Sequence, residues 1–370
     1  KKIKGKLIWF HGASVGEILS VIPLVEKLEK KKEIKQILIT SNTLSSSKIL
    51  SNLRLKKTVH QFFPIDTTHH TKKFLNYWNP TMAIFIDSEI WPNMIINIKK
   101  KSVPLILLNA RITKKSFLRW TKVIYIAKNL FKNFDICLSS NLKSIRYLKT
   151  LGAKKIKFIG NLKFSQREKE INSIKKNDFL NRKIWCASST HHSEEKYCGI
   201  AHKKLKTKYK NLLTIIIPRH IDRVDSIIDE MKKLDLKVHL DDSTKRISKD
   251  TDIYLVNSYG KTKSFFQICK IVFLGGSLIK HGGQNPIEAV KYGCKVLHGP
   301  NVWNFDEIYS LLDGYGSSKK INKLKELIQN VDTSFKYKNN SEKIKMKIEN
   351  LGDKILHLTL KELNFFLKQK

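Results

Sequence analysis

Residues 274–288 read LGGSLIKHGGQNPIE. An apolar run leads into two glycines, a polar loop follows, and Asn285-Pro286 introduces the next amphipathic segment. That succession is strand, glycine-rich turn, loop and helix start, the unit from which parallel α/β sheets are built. Gly275 and Gly276 carry no side chain over their amides, and a helix starting near Pro286 directs the positive end of its dipole at the same place. An anion suits that place, a nucleotide phosphate above all. Ser277 and Asn285 belong to the same loop, and Glu288 falls in the first helical turn, within reach of a ribose diol beside the phosphate. By itself a glycine pair reads first as tight strand–helix packing. Two pairs flanking a serine, a histidine and Asn-Pro point instead to a ligand.

Outward from this stretch the same pattern repeats. In the second half, strands are expected at 184–187, 213–217, 237–240, 252–256, 271–274 and 295–297, with helices such as 194–209 and 223–233 between them. In the first half, strands are expected at 6–10, 36–40, 60–64, 82–87, 105–109, 136–139 and 157–160, with helices at 18–30 and 142–151. Residues 164–182 are polar and aperiodic and read as a connection. The tail from 341 reads as a helix interrupted at Gly352, with Ile344, Ile348, Leu351, Ile355, Leu358 and Leu363 on its apolar side. The expected organisation is an amino-terminal Rossmann-like domain over 1–165, a second over 166–340, and a carboxy-terminal helix over 341–370 crossing back to the first. Two such α/β domains facing a cleft define the GT-B glycosyltransferase architecture, with a two-domain binding protein or dehydrogenase as the competing class.

The chain has 370 residues, enough for two cores, and 41% hydrophobic residues, which excludes a disordered polymer. Its 71 Lys and Arg against 32 Asp and Glu leave a formal charge of +39. Lysine is scattered along the whole chain without an RNA-binding aromatic signature or an arginine-rich recognition helix. A solvated basic surface or attraction to lipid phosphate therefore fits better than sequence-specific nucleic-acid binding, although a basic nucleic-acid-associated protein is the alternative class. The five cysteines form no CxxC pair and read as reduced core residues. No signal peptide or membrane-length apolar run is evident, and the chain begins at Lys1, consistent with removal of an amino-terminal segment.

Chemistry is expected beyond the carboxyl ends of the strands. The first strand runs into HGASVGE, 11–17, whose spacing is not the dinucleotide GxGxxG pattern. Glu17 reads either as a first-turn helix cap or as a carboxylate kept ionised by the helix dipole and able to take a proton from an attacking hydroxyl. In DSEIWPN, 87–93, Glu89 could orient Glu17, bind an acceptor sugar or meet Arg111, while Ser88 reads as a cap. Arg219 and His220, in PRH after a strand, would grip a phosphate or carboxylate if aimed at the Gly275–Ser277 turn; a paired surface arginine is the plain alternative. The histidines lack metal-site spacing.

The chain resembles the 3-deoxy-D-manno-octulosonic acid (Kdo) transferases of Gram-negative lipopolysaccharide synthesis. The motifs carrying the likeness occur in order nearly end to end: HGASVGE, FPID, DSEIWPN, LNARIT, GNLKF, ASSTHHSEE, PRH, GGSLIKHGGQNPIEA and GPNVWNFDEI. The resemblance implies a metal-independent, cofactor-free, inverting GT-B enzyme. It would move Kdo from CMP-Kdo to the lipid A precursor (lipid IVA) at the cytoplasmic face of the bacterial inner membrane. Attachment there would be peripheral or through an amino-terminal segment absent here, against an anionic membrane surface. It further implies Glu17 as general base, Glu89 as a second catalytic acid residue, and Arg219, His220, Gly275, Gly276, Ser277, Asn285 and Glu288 as donor-binding residues. Ser14, Gly16, Arg111, Lys163, Thr190 and His191 would line the cleft. A GT-B enzyme using a UDP-sugar is the nearest alternative. Gln284 departs from the GGHNP form of the family, which puts a proton-donating role at that position in doubt.

Overall fold

The structure, a computed structural model, describes residues 2–166, 179–242, 244, 246–336 and 341–368. Among these residues the apolar runs pair into two seven-stranded sheets in which every pairing is parallel. The chain divides into two compact units, Lys1–Arg167 with Asn350–Lys370, and Glu168–Glu349.

The first sheet comprises β1 (Lys6–His11), β2 (Ile34–Ser41), β3 (Thr58–Phe62), β4 (Met82–Ile86), β5 (Leu105–Ala110), β6 (Ile136–Ser139) and β7 (Ile156–Phe158). Their order is β3-β2-β1-β4-β5-β6-β7, so chain direction across the sheet reverses between β1 and β4. Helices cover both faces of the central strands. β4 and β5 are therefore buried at every residue and read as continuous apolar runs without alternation. Trp9 and Phe85, both fully buried, meet edge to face with centroids 5.3 Å apart in the core of this sheet.

The second sheet comprises β8 (Lys183–Thr190), β9 (Leu212–Pro218), β10 (Val238–Leu240), β11 (Ile253–Leu255), β12 (Ile271–Leu274), β13 (Lys295–His298) and β14 (Ser318–Lys320). The order β10-β11-β9-β8-β12-β13-β14 reverses between β8 and β12. β8 reaches three residues beyond the expected 184–187, carrying Ser188, Ser189 and Thr190 to the end of the sheet. The short edge strand β14 has the sequence Ser-Lys-Lys, which offers no apolar run, and sequence reading passes over it.

The tail is one unbroken helix, Ser341–Lys368, and the interruption expected at Gly352 does not occur. A Cβ placed there would lie 2.3 Å from the carbonyl oxygen of Phe164. Gly352 is a point of close approach inside the helix, letting the backbone lie against the turn Leu162–Ser165. Ile344, Ile348, Ile355 and Leu363 are buried as expected, whereas Leu351 and Leu358 are only partly so. Leu356, Thr359, Phe366 and Leu367 complete the buried side. Of the expected connection, 167–178 lie outside the described residues.

Candidate active site

In an open parallel sheet the loops beyond the strand ends diverge where chain direction reverses, leaving a crevice for ligands. In the first sheet the two strands at that point are β1 and β4, and they deliver HGASVGE and DSEIWPN. Ser14 caps the helix Val15–Glu29, accepting from the Glu17 amide at 3.3 Å. The Glu17 carboxylate in turn accepts from the Ala13 amide at 2.7 Å and from the Ser14 hydroxyl at 3.0 Å. The capping reading is thus correct for Glu17, in a reciprocal arrangement that also fixes where the carboxylate stands. The dipole's pull toward the ionised form meets opposing influences. Burial pushes the Glu17 carboxyl above its ordinary value, the negative charges of Asp87 and Glu89 push it further, and the Ser14 and Ala13 bonds only oppose them. A carboxylate so raised is a stronger base.

Glu89 is gripped on one oxygen by the Trp91 indole at 2.8 Å, and the Nε2 of His11 stands 3.2 Å from the same atom. His11 is fully buried, stacks on Phe63 at 3.8 Å, and is kept below its ordinary value by burial, against the pull of Glu89. Neither His11 nor Trp91 stands out by residue type. Only their placement beside a charged loop residue could have signalled them. Arg111 donates its amide to the Asp87 carbonyl at 3.1 Å, and its charge, with that of Lys163, favours an ionised Asp87. Gly16 is exposed, and a Cβ there would meet nothing within 4 Å. The fold does not require a glycine at this position.

In the second sheet the corresponding strands are β8 and β12, which deliver the Thr190–His191 loop and the Gly275–Ser277 turn. The amides expected to await a phosphate are already occupied. Glu194, opening the helix Glu194–Lys206, accepts from the amides of Gly276 (2.7 Å), Ser277 (3.1 Å), Leu278 (3.0 Å) and His191 (3.0 Å). Burial pushes its carboxyl up while these donors pull it back down. The Gly275 amide is spent on the Ser188 carbonyl at 2.9 Å, and a Cβ on Gly275 would lie 2.5 Å from Thr190 Cα. The Ser277 hydroxyl donates to Leu274 and accepts from the Gly299 amide at 2.9 Å, tying β12 to β13. The turn has the anion-binding geometry foreseen, and the anion is a side chain of the same unit. The helix after it is only five residues long, Ile287–Lys291, with Asn285 accepting from the Ile287 amide at 3.2 Å and Glu288 paired with Lys263 at 3.3 Å.

Beside the turn stands a cluster of three histidines and one arginine. The His191 ring stands 4.3 Å from that of His281 and 5.9 Å from that of His220, centroid to centroid. Its Nδ1 is 3.1 Å from the Ser189 carbonyl, while its buried Nε2 has no hydrogen-bond partner. Burial and then His281, with smaller pushes from His220 and Arg219, lower the imidazole to about 4. Arg219 is exposed and anchored through its amide to the Thr190 carbonyl at 2.9 Å; the buried Thr190 hydroxyl also lacks a partner. Thr190, His191, Arg219 and His220 are expected from the sequence as site residues; His281, the histidine between the two glycine pairs, counts there only as part of a ligand-like loop, and its contact with His191 is visible only in the fold. Among the described residues no group of three His, Cys, Asp or Glu is arranged to hold a metal ion, and the five cysteines are buried and unpaired.

Fold and sites together define a GT-B-type α/β protein, with an acid-rich strand-end site on one sheet and a histidine cluster beside Arg219 on the other. Solved structures with this fold include the UDP-GlcNAc 2-epimerase from Neisseria meningitidis (TM-score 0.66, 15% identity, 96% of this chain and 100% of that one). A glycosyltransferase from Rickettsia africae gives a TM-score of 0.61 at 12% identity, covering 100% of both chains. Sequence relatives are more specific. A family model described as 3-deoxy-D-manno-octulosonic-acid transferase (kdotransferase) matches residues 1–166. The 3-deoxy-D-manno-octulosonic acid transferase of Rickettsia prowazekii is 33% identical over 93% of this chain and 75% of its own length. That of Haemophilus influenzae is 30% identical over 82% and 73%. The chain belongs to the Kdo transferase family of glycosyltransferases, which act in lipopolysaccharide synthesis.

Proposed function

We propose that the protein moves Kdo from CMP-Kdo to a primary hydroxyl of the lipid A precursor, inverting the anomeric centre, with Glu17 as general base. The observation that carries this reading is the Glu17 carboxyl itself, fixed by two hydrogen bonds and pushed upward by burial and by two neighbouring acids. As the acceptor oxygen bonds to the anomeric carbon of Kdo, its proton passes to Glu17. The bond from that carbon to the phosphate oxygen breaks with its electron pair, and CMP departs. The amino-terminal unit supplies the base and the acceptor side, where bare Gly16 leaves room and His11 and Trp91 hold Glu89. The carboxy-terminal unit supplies the donor side. There Arg219 and His220, with Thr190 and His191, face the phosphate and the Kdo carboxylate. Asn285 and Glu288 address the ribose, Glu288 by exchanging Lys263 for the diol. The Gly275–Ser277 turn contributes by shaping the site, its amides being held by Glu194. Mass spectrometry of products from CMP-Kdo and a tetra-acylated lipid A precursor is expected to show addition of Kdo; product from a UDP-sugar and none from CMP-Kdo would overturn the assignment.

The acceptor is an anionic lipid, so the enzyme is expected at the cytoplasmic face of the inner membrane. Among the described residues no helix is long and apolar enough to cross a membrane. The helices Lys114–Thr121 and Ile124–Phe131 present exposed Leu118, Val123, Tyr125 and Ile126 together with exposed Lys114, Lys115, Arg119 and Lys122. Phe117 and Trp120 on the first of these helices turn inward: Phe117 stacks on Tyr147 at 4.2 Å and Trp120 packs edge-on against Phe131. Each basic side chain near an anionic surface contributes about 1 kcal/mol. Replacing Lys114, Lys115 and Lys122 with glutamine is therefore expected to weaken sedimentation with phosphatidylglycerol vesicles by roughly a hundredfold. Unchanged binding would remove this surface from the account.

A further inference from the structure

Asp87 and Asn109 each hold a left-handed backbone conformation, φ 55° in both, which for a non-glycine residue is uncommon and most readily tolerated by Asn and Asp. The two face each other at the ends of β4 and β5. The Asn109 side-chain amide donates a short hydrogen bond to the Asp87 carboxylate, and its carbonyl accepts from the buried Leu162 amide at 3.0 Å. The backbone register between β5 and β6 shifts between Leu108 and Ala110, so the strand breaks its regular pairing where Asn109 makes these contacts. Leu162 opens the turn Leu162–Ser165, which carries Lys163. One amide thus joins the acid after β4 to the turn that brings a lysine beside it.

We propose that Asn109 is a positioning residue for the transfer reaction: by clamping Asp87 to the Lys163 turn it keeps a negative charge beside Glu17, and so sets the pH at which Glu17 can accept a proton. This rests on Glu17 being the base. The groups facing Glu17 are the Ser14 hydroxyl, the Ala13 amide, Asp87 and Glu89. Those facing Asp87 are Lys163, Asn109, Arg111 and Glu89. Burial pushes the Asp87 carboxyl up, and Lys163, Asn109 and Arg111 pull it back. Without the Asn109 donor Asp87 protonates more easily, its charge is withdrawn, and Glu17 falls toward the ordinary carboxyl range.

The test is the pH dependence of kcat/KM for Kdo transfer from CMP-Kdo to the tetra-acylated acceptor. Asn109→Gly keeps the left-handed backbone accessible and removes both side-chain bonds. Its acidic limb is expected about one pH unit lower than that of the wild type. Asn109→Asp retains an acceptor for Leu162 and places a second carboxylate against Asp87; the pair still carries a charge, so the limb stays or rises. Asp87→Asn lowers the limb as Asn109→Gly does, and adding Asn109→Gly to it shifts the limb no further. Coincident limbs in wild type and Asn109→Gly, or additive shifts in the double variant, would overturn the proposal and leave Asn109 a structural residue. If Asn109→Gly does not fold, Asp87→Asn decides alone, an unmoved limb refuting the proposal. A wild-type limb that persists in Glu17→Gln would show instead that the base is another group, whatever Asn109 does.

Discussion

Glu17→Gln is expected to lower kcat to about a thousandth of the wild-type value, the scale general-base catalysis contributes, while CMP binds within about twofold of normal affinity. Glutamine has the same shape and keeps one oxygen to accept from the Ala13 amide or the Ser14 hydroxyl, so the start of the helix Val15–Glu29 remains capped. It loses the ability to take a proton. The effect therefore falls on turnover and spares nucleotide affinity, because the CMP groups are assigned to the other unit. The wild-type pH profile carries the sign of the environment: Glu17 must be ionised to act, its carboxyl is raised, and activity is lost as pH falls through that raised value. Residual turnover in Glu17→Gln is expected to be flat over the same range. Single-turnover rates and calorimetry with CMP measure the two halves of this prediction, and full activity in the variant would end the base assignment.

The strands of both sheets were legible because central parallel strands are buried on both faces and must be apolar throughout, as in Met82–Ile86 and Ile271–Leu274. β14 was not, since Ser318–Lys320 at a sheet edge owes its place to pairing with β13 and not to burial of apolar residues. Gly352 read as a break because glycine weakens helices in general. The cause of its presence is the Phe164 carbonyl, nearly two hundred residues away in sequence, and contacts of that separation leave no local trace. Phe117 and Trp120 show what spacing alone carries: residues at i and i+3 share a helix face, and that face packs on Phe131 and Tyr147. The site divides in the same way. Which strand ends carry Glu17, Glu89, His191 and Arg219 follows from local pattern, while the anion that fills the glycine turn and the amide that holds Asp87 depend on side chains delivered by other strands.

The second large effect is expected at Glu194, where the glycine turn and its internal anion make opposite demands. Glu194→Ala leaves four amides, those of His191, Gly276, Ser277 and Leu278, without their acceptor in a buried place. Each buried donor left without an acceptor costs about 1–3 kcal/mol, so with partial relaxation the four together cost several. A domain of this size then melts roughly 10 °C lower, the first transition in calorimetry reporting the carboxy-terminal unit. Glu194→Gln falls between, since its oxygen can still accept while its amino group confronts N–H donors that it cannot satisfy. Phosphate distinguishes two views of the turn. If the turn is an anion nest that the chain has filled with its own carboxylate, inorganic phosphate should restore part of the lost melting temperature in Glu194→Ala and do little to the wild type, whose amides are occupied. If phosphate raises the wild type as much as the variant, it binds at a place common to both, such as the cluster of His191, His220, His281 and Arg219, and the turn is not a nest that the external anion can fill. The expected result is rescue confined to the variant, because four donors at 2.7–3.1 Å leave a competing oxygen no unpaired amide to approach.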